Sequence, residues 1–174
     1  GCKTPGLPIA MRSGPIKFTY APGLLSVYMQ GTGHTRFLKM NQPQGKTSPK
    51  YYGNSVAHWE GDTLVVDTKD FMSDITFQYG VGKGLPSTGT VGTGGLARPG
   101  GPGSILQGRP GAFNLSRAIF GPPGPNMHME ERMHLVNPNT MELDLTVYDD
   151  SVWTKPYVAA PRLYKRIRKG VSEI

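Results

Sequence analysis

One carboxylate stands among apolar neighbours in the stretch Met127-His128-Met129-Glu130-Glu131-Arg132-Met133-His134-Leu135. Read as a strand, its side chains alternate between two faces, so Met127, Met129, Glu131, Met133 and Leu135 fall on one side. An ionised carboxylate on such a face is costly unless it is paired, hydrogen-bonded or protonated. Glu131 is therefore the first candidate for acid/base chemistry, with a pKa moved by burial. Its counterpart is Arg36, which shares a face with Leu38 and Met40 and either ends at a rim or is buried with a partner. Both residues are expected to point inward. They then form an ion pair that fixes strand register, or they bracket a polar group of a ligand.

The other candidates are weaker. His128, Glu130, Arg132 and His134 form a polar row beside the Glu131 face, the pattern of a solvated strand face more often than of a proton-transfer array. Within it His128 is, with Asp67, a candidate to assist Glu131, and Arg132 is a candidate ligand contact. His58 and Glu60 make a second such pair. Asp67 sits beside Val65 on a face expected to be partly buried, and is a candidate partner for Glu131 across the interior. Ser55 is a candidate ligand contact; a hydrolase reading fails for want of a G-x-S-x-G elbow. Trp59 reads as a core aromatic or barrel plug before a stacking platform. The single cysteine, Cys2, and the absence of any CxxC or Cys/His cluster propose no metal site, and no cofactor is expected.

These residues need strands to position them. Glu60-Gly61-Asp62 is a turn signal between two runs rich in bulky and β-branched residues, and Thr63 to Thr68 returns as a strand whose Leu64, Val66 and Thr68 share one face. Asn137-Pro138-Asn139-Thr140 turns the Glu131 segment into Met141 to Tyr148, whose strict alternation is again a strand. Further strands are read at Ile16 to Tyr20, Leu24 to Gln30 and Thr35 to Met40, with residues 1 to 15 as an extended Pro/Gly-rich surface loop and 41 to 52 as loop. The expected fold is all-β: an antiparallel meander closing into a calycin-like barrel or a strongly curved sheet, with a small-ligand interior by analogy.

Composition bounds the rest. A chain of 174 residues makes one domain with a sizeable core. Residues 82–125 hold 13 of the 24 Gly and 7 of the 16 Pro, so the loop-forming excess is one insertion, with apolar islands at Ile105-Leu106, Phe113 and Ala118-Ile119-Phe120. No G-x-x-x-x-G-K-[ST] occurs in it. The net charge of +7 is scattered, the one dense patch being Arg162 to Lys169, which reads as a basic edge strand before an anion site; nucleic acid is not an expected partner. No run of 18 apolar residues exists, so no helical membrane span is expected. Gly1-Cys2 follows either a removed leader or a lipoprotein signal, in which case Cys2 carries lipid.

The strings Gly53-Asn54-Ser55, Trp59 to Thr68, His128, Glu131-Arg132, Thr146-Val147, Asp149 and Thr154-Lys155-Pro156 together resemble a large uncharacterised family of exported bacterial proteins that carries a W-E-G-D-T-L-V-V-D-T motif. Ala57 stands where that family usually has Gly, and Tyr157 where it has Trp. The resemblance implies a β fold and a periplasmic or secreted location, and brings no reaction with it. The expected function is binding of a small apolar or aromatic molecule, with acid/base chemistry on it as an open extension. The alternative is a non-catalytic structural or accessory subunit that meets other protein subunits through the Gly/Pro-rich insertion.

Overall fold

A computed structural model describes residues 6–12, 14–73, 75, 77–78, 120–121, 123–151 and 153–167. The chain is all-β, with no α-helix among these residues. One short 3₁₀ turn, Ile9–Arg12, precedes β1 (Ile16–Ala21), β2 (Leu24–Met29), β3 (His34–Met40), β4 (Asn54–Glu60) and β5 (Thr63–Lys69). After them come β6 (Phe77–Gln78), β7 (Phe120–Gly121), β8 (His128–Asn137), β9 (Thr140–Tyr148), β10 (Tyr157–Val158) and β11 (Arg162–Lys165). The main sheet runs β1-β2-β3-β4-β5-β8-β9, and both β10 and β11 pair with the far side of β9. It curls into a half-barrel dominated by antiparallel pairs. Of the two expected forms, the strongly curved sheet is the one adopted: β1 pairs with β2 alone among the described residues.

The expected turns reverse the chain. Ala21 faces Leu24 across Pro22-Gly23, Glu60 faces Thr63 across Gly61-Asp62, and Asn137 faces Thr140 across Pro138-Asn139. Gly23 and Gly61 have φ of 73° and 58°, the left-handed conformation that such two-residue loops require. One pair departs from the meander. β3 and β4 run parallel, Leu38 facing Ser55 and Met40 facing Ala57. Parallel neighbours need a crossover of about a dozen residues or more, and the connection from Asn41 to Gly53 supplies it. Gly53 closes this crossover at φ 67°, and a Cβ there would lie 2.7 Å from Thr68 Cγ2 and 2.9 Å from both Lys69 O and Phe71 Cε1. The Lys69 carbonyl cannot yield, so Gly53→Ala combines left-handed strain with overpacking. It is expected to lower unfolding free energy by about 2–4 kcal/mol in urea titrations.

Alternation fills the concave face. Leu25, Val27 and Met29 of β2, Leu38 and Met40 of β3, Ala57 of β4, Leu64 and Val66 of β5, Met129 and Met133 of β8, and Leu143, Leu145 and Val147 of β9 form one buried cluster. Leu135, expected on the same face, is 61% exposed, because β8 runs past the rim and its register shifts between Leu135 and Asn137. The N-terminal segment is not the surface loop that its Pro and Gly content suggests. Leu7, Ala10 and Met11 are buried and belong to the same cluster. Their spacing puts them on one side of a helical turn, in which the Ala10 amide donates to Gly6 O at 3.0 Å. The turn is tied to β11, where Tyr164 Oη donates to Met11 O and Arg162 Nη1 to Pro8 O.

The short β6 and β7 pair with each other, Phe77 facing Gly121 and Gln78 facing Phe120. Of the insertion at 82–125, only residues 120–121 and 123–125 are described, and the islands at Ile105-Leu106, Phe113 and Ala118-Ile119 lie outside the described residues. The C-terminal basic run includes the edge strand β11, with Arg162 and Tyr164 half-buried and Leu163 and Lys165 exposed; residues 168 and 169 lie outside the described set.

Candidate functional site

Four neighbouring strands each contribute one polar side chain to the otherwise apolar interior. Arg36 comes from β3, Ser55 from β4, Thr68 from β5 and Glu131 from β8, and all four are buried. The register makes the cluster. Ser55 faces Thr68 directly, Glu131 faces Val66 two residues along from Thr68, and Arg36 lies two residues before Leu38, which faces Ser55. The arginine side chain is long enough to cross this interval and meet the others.

Each of its three guanidinium nitrogens has a partner. Arg36 Nε donates to Ser55 Oγ at 3.1 Å, Nη2 to Thr68 Oγ1 at 2.6 Å, and Nη1 meets Met11 Sδ at 3.5 Å. Ser55 Oγ and Thr68 Oγ1 are bonded to each other at 2.9 Å. Glu131 Oε2 lies 2.5 Å from Arg36 Nη2, both side chains at most 2% exposed. That oxygen receives no well-directed hydrogen bond, so charge attraction is what holds the contact. Two opposite charges here cancel in a medium where either alone would be costly. Met11 covers the arginine from the N-terminal side, and the cluster is closed to water.

Arg36, Glu131 and Ser55, three of the residues expected at a site, are thus brought together. The others are not. Asp67 alternates to the outer face, its Cα opposite Val56 and Glu130, whereas Thr68 next to it points inward. It cannot partner Glu131 across the interior, because strand parity sets the two on opposite sides of the sheet. Trp59 has the inward parity but sits at the hairpin tip, 57% exposed, beyond the rim and not in the core. His128 lies on the outer face, stacked on Tyr148 at 4.4 Å between ring centroids. Arg132 is also outside, where Nη2 donates to Glu60 Oε2 at 2.6 Å while His58 Nε2 lies 3.1 Å from Glu60 Oε1.

In this surface group the hydrogen bond from Arg132 holds the Glu60 carboxyl below the usual carboxylate range, with His58 adding to it. The native state thus favours the ionised form. Any stabilisation is present above the ordinary carboxylate pKa and is lost as pH falls through the depressed native one. Full exposure keeps it small. Arg132→Ala is expected to return the Glu60 titration, followed by carboxyl-carbon NMR, towards the ordinary range while leaving the fold unchanged.

Thr68 belongs to the cluster and Met11 covers it, and neither is among the residues that the sequence singles out. Thr68 was legible, since parity put it with Leu64 and Val66. A third residue outside the candidate set, Asp149, is buried at the end of β9, where it accepts from the Gly124 amide at 2.9 Å and from Ser151 Oγ at 2.5 Å, pinning the segment that leads into β8. Next to that segment is a cleft of about 530 Å³ lined by Pro49, Phe71, Met72, Pro123, Pro125 and Met127, with Asp70 and Ser73 as polar groups. Comparison with known proteins finds no matching family model, no matching curated protein and no matching solved structure.

Proposed function

We propose that this protein is a non-catalytic interaction module, an accessory subunit that receives a partner chain along β1, the outermost strand of the sheet among the described residues. The observation behind this reading is the closed polar centre: Glu131 is paired, covered by the N-terminal turn and shut off from solvent, so it meets no substrate. The edge offers the contrast. Phe18 and Tyr20 have the inward parity of β1, facing Val27 and Leu25, yet are 37% and 68% exposed, β1 being the outermost strand among the described residues. An edge strand with exposed aromatic side chains suits a partner chain laid along it, the aromatics giving selectivity. The export implied by the family resemblance would place the assembly outside the cytoplasm.

The test is a photo-crosslinking residue placed at position 20, with one at position 62 on the far hairpin tip as control, in the full chain expressed in its source cell. A discrete protein adduct from position 20 alone is expected. Adducts from both positions alike, or none, would refute the edge as the partner site. A second reading, binding of a small apolar or aromatic molecule, rests on the open cleft beside Phe71 and Met127, where these apolar side chains stand next to the polar Asp70 and Ser73. Native mass spectrometry of the purified protein separates the two, through a retained small molecule or a co-purifying subunit.

A further inference from the structure

His134 of β8 and Glu142 and Asp144 of β9 stand together on the outer face, each half-buried, with one donor atom from each within 4.8 Å of the others. The register is responsible. His134 faces Glu142 directly, and Asp144, two residues further along β9, faces Arg132. We propose that these three side chains form a binding site for a divalent transition-metal ion such as Zn²⁺, a site distinct from both the polar centre and the β1 edge.

Three observations carry it. His134 Nε2 and Glu142 Oε1 are 4.0 Å apart, too far for a hydrogen bond and near the span that one ion bridges. With metal–ligand bonds of about 2.0–2.2 Å, two donors of a tetrahedral ion sit roughly 3.4 Å apart, so partly exposed side chains need to close only by about an ångström. Next, Asp144 makes no ion pair within 4.0 Å among the described residues, although Arg132 is opposite it, because Arg132 turns its guanidinium towards Glu60 and Glu130. Its charge still acts on Arg132 at longer range, but no direct ion pair or hydrogen bond holds the carboxylate among the described residues. Last, β8 and β9 are a long central pair flanked by β5 and by β10 and β11, which sets the spacing of the three Cα atoms before any ion arrives. Lys165 of β11, one diagonal step from Glu142, is a further cation near this face and is exposed.

The donor set selects the ion. One imidazole with two carboxylates suits a borderline ion such as Zn²⁺ or Co²⁺ over Mg²⁺ or Ca²⁺, which take oxygen ligands. Three protein ligands leave at least one position open to water or to a group from another molecule.

Isothermal titration of the full chain with ZnCl₂ in a non-chelating buffer tests the site. One Zn²⁺ per chain is expected, with no comparable binding of Mg²⁺. His134→Ala should weaken binding by more than about 100-fold, beyond the range typical of losing an outer-shell partner. Glu142→Gln and Asp144→Asn should each weaken it at least about tenfold, and His58→Ala should leave it unchanged. Circular dichroism confirms that each variant keeps its sheet. Absence of Zn²⁺ binding in the parent chain, or binding that His134→Ala leaves intact, overturns the proposal.

Discussion

Arg36→Met and Glu131→Gln, each made alone, are expected to lower unfolding free energy by about 3–5 kcal/mol, because each leaves one buried charge without its counter-ion. Glu131→Gln is nearly isosteric, so its cost reports charge and not shape. The double variant Arg36→Met/Glu131→Met is expected to recover most of the loss and to come within about 1–2 kcal/mol of the parent. Apolar side chains of similar length replace the pair, and Ser55 and Thr68 keep their mutual hydrogen bond. With Glu131→Met made alone to close the double-mutant cycle, the coupling should therefore amount to several kcal/mol, measured by urea denaturation with constant slope. The outcome also bears on function. A Glu131→Gln variant as stable as the parent would mean that the carboxylate is not an internal counter-ion and would return it to candidacy as an acid/base group. A strongly destabilised variant with an intact β1 partner would fit the accessory reading.

The ion pair was legible because periodicity is a strong signal on strands. Arg36 with Leu38 and Met40, and Glu131 with Met129 and Met133, could be assigned to the interior from spacing two, and register brought them into contact. The same alternation sets Asp67, between Val66 and Thr68, on the outer face and gives the inward place to the Thr68 hydroxyl. Trp59 shows where parity stops being informative: it predicts a face and says nothing of how far a strand extends past the rim. The parallel β3–β4 pair was hidden for a related reason. Alternation is identical in parallel and antiparallel strands, and only the length of the 41–53 connection distinguished them. The His134, Glu142 and Asp144 cluster was beyond reach of any linear motif, because the histidine and the carboxylates belong to facing strands and meet only through register. The N-terminal turn was missed because Pro5, Gly6 and Pro8 read as loop punctuation, while three apolar residues spaced over a single turn are too few to register as a helix.

That turn gives the second large effect. Leu7 and Met11 are entirely or almost entirely buried within the main core cluster, so Leu7→Ala and Met11→Ala are each expected to cost about 2–5 kcal/mol. Met11→Ala removes more than volume, since its sulfur also faces Arg36 Nη1 and its loss opens a path for water to the ion pair. Its cost should therefore be non-additive with Arg36→Met, whereas Leu7→Ala should add more simply. The Leu7→Ala/Met11→Ala double variant is expected to keep its β circular dichroism and to bind a hydrophobic dye that the parent does not. Unchanged dye binding would mean that the sheet collapses over the vacated space. The variant also discriminates between functions. If the turn is only a plug that completes the core of a half-barrel, opening it lowers stability and does nothing for ligand retention. If it covers an interior meant for a small apolar molecule, then removing it relieves the cost of displacing it, and native mass spectrometry should find a molecule held more tightly than by the parent. The hydrogen bonds from Tyr164 and Arg162 to the backbone of the turn, together with its buried apolar face, favour the first of these outcomes.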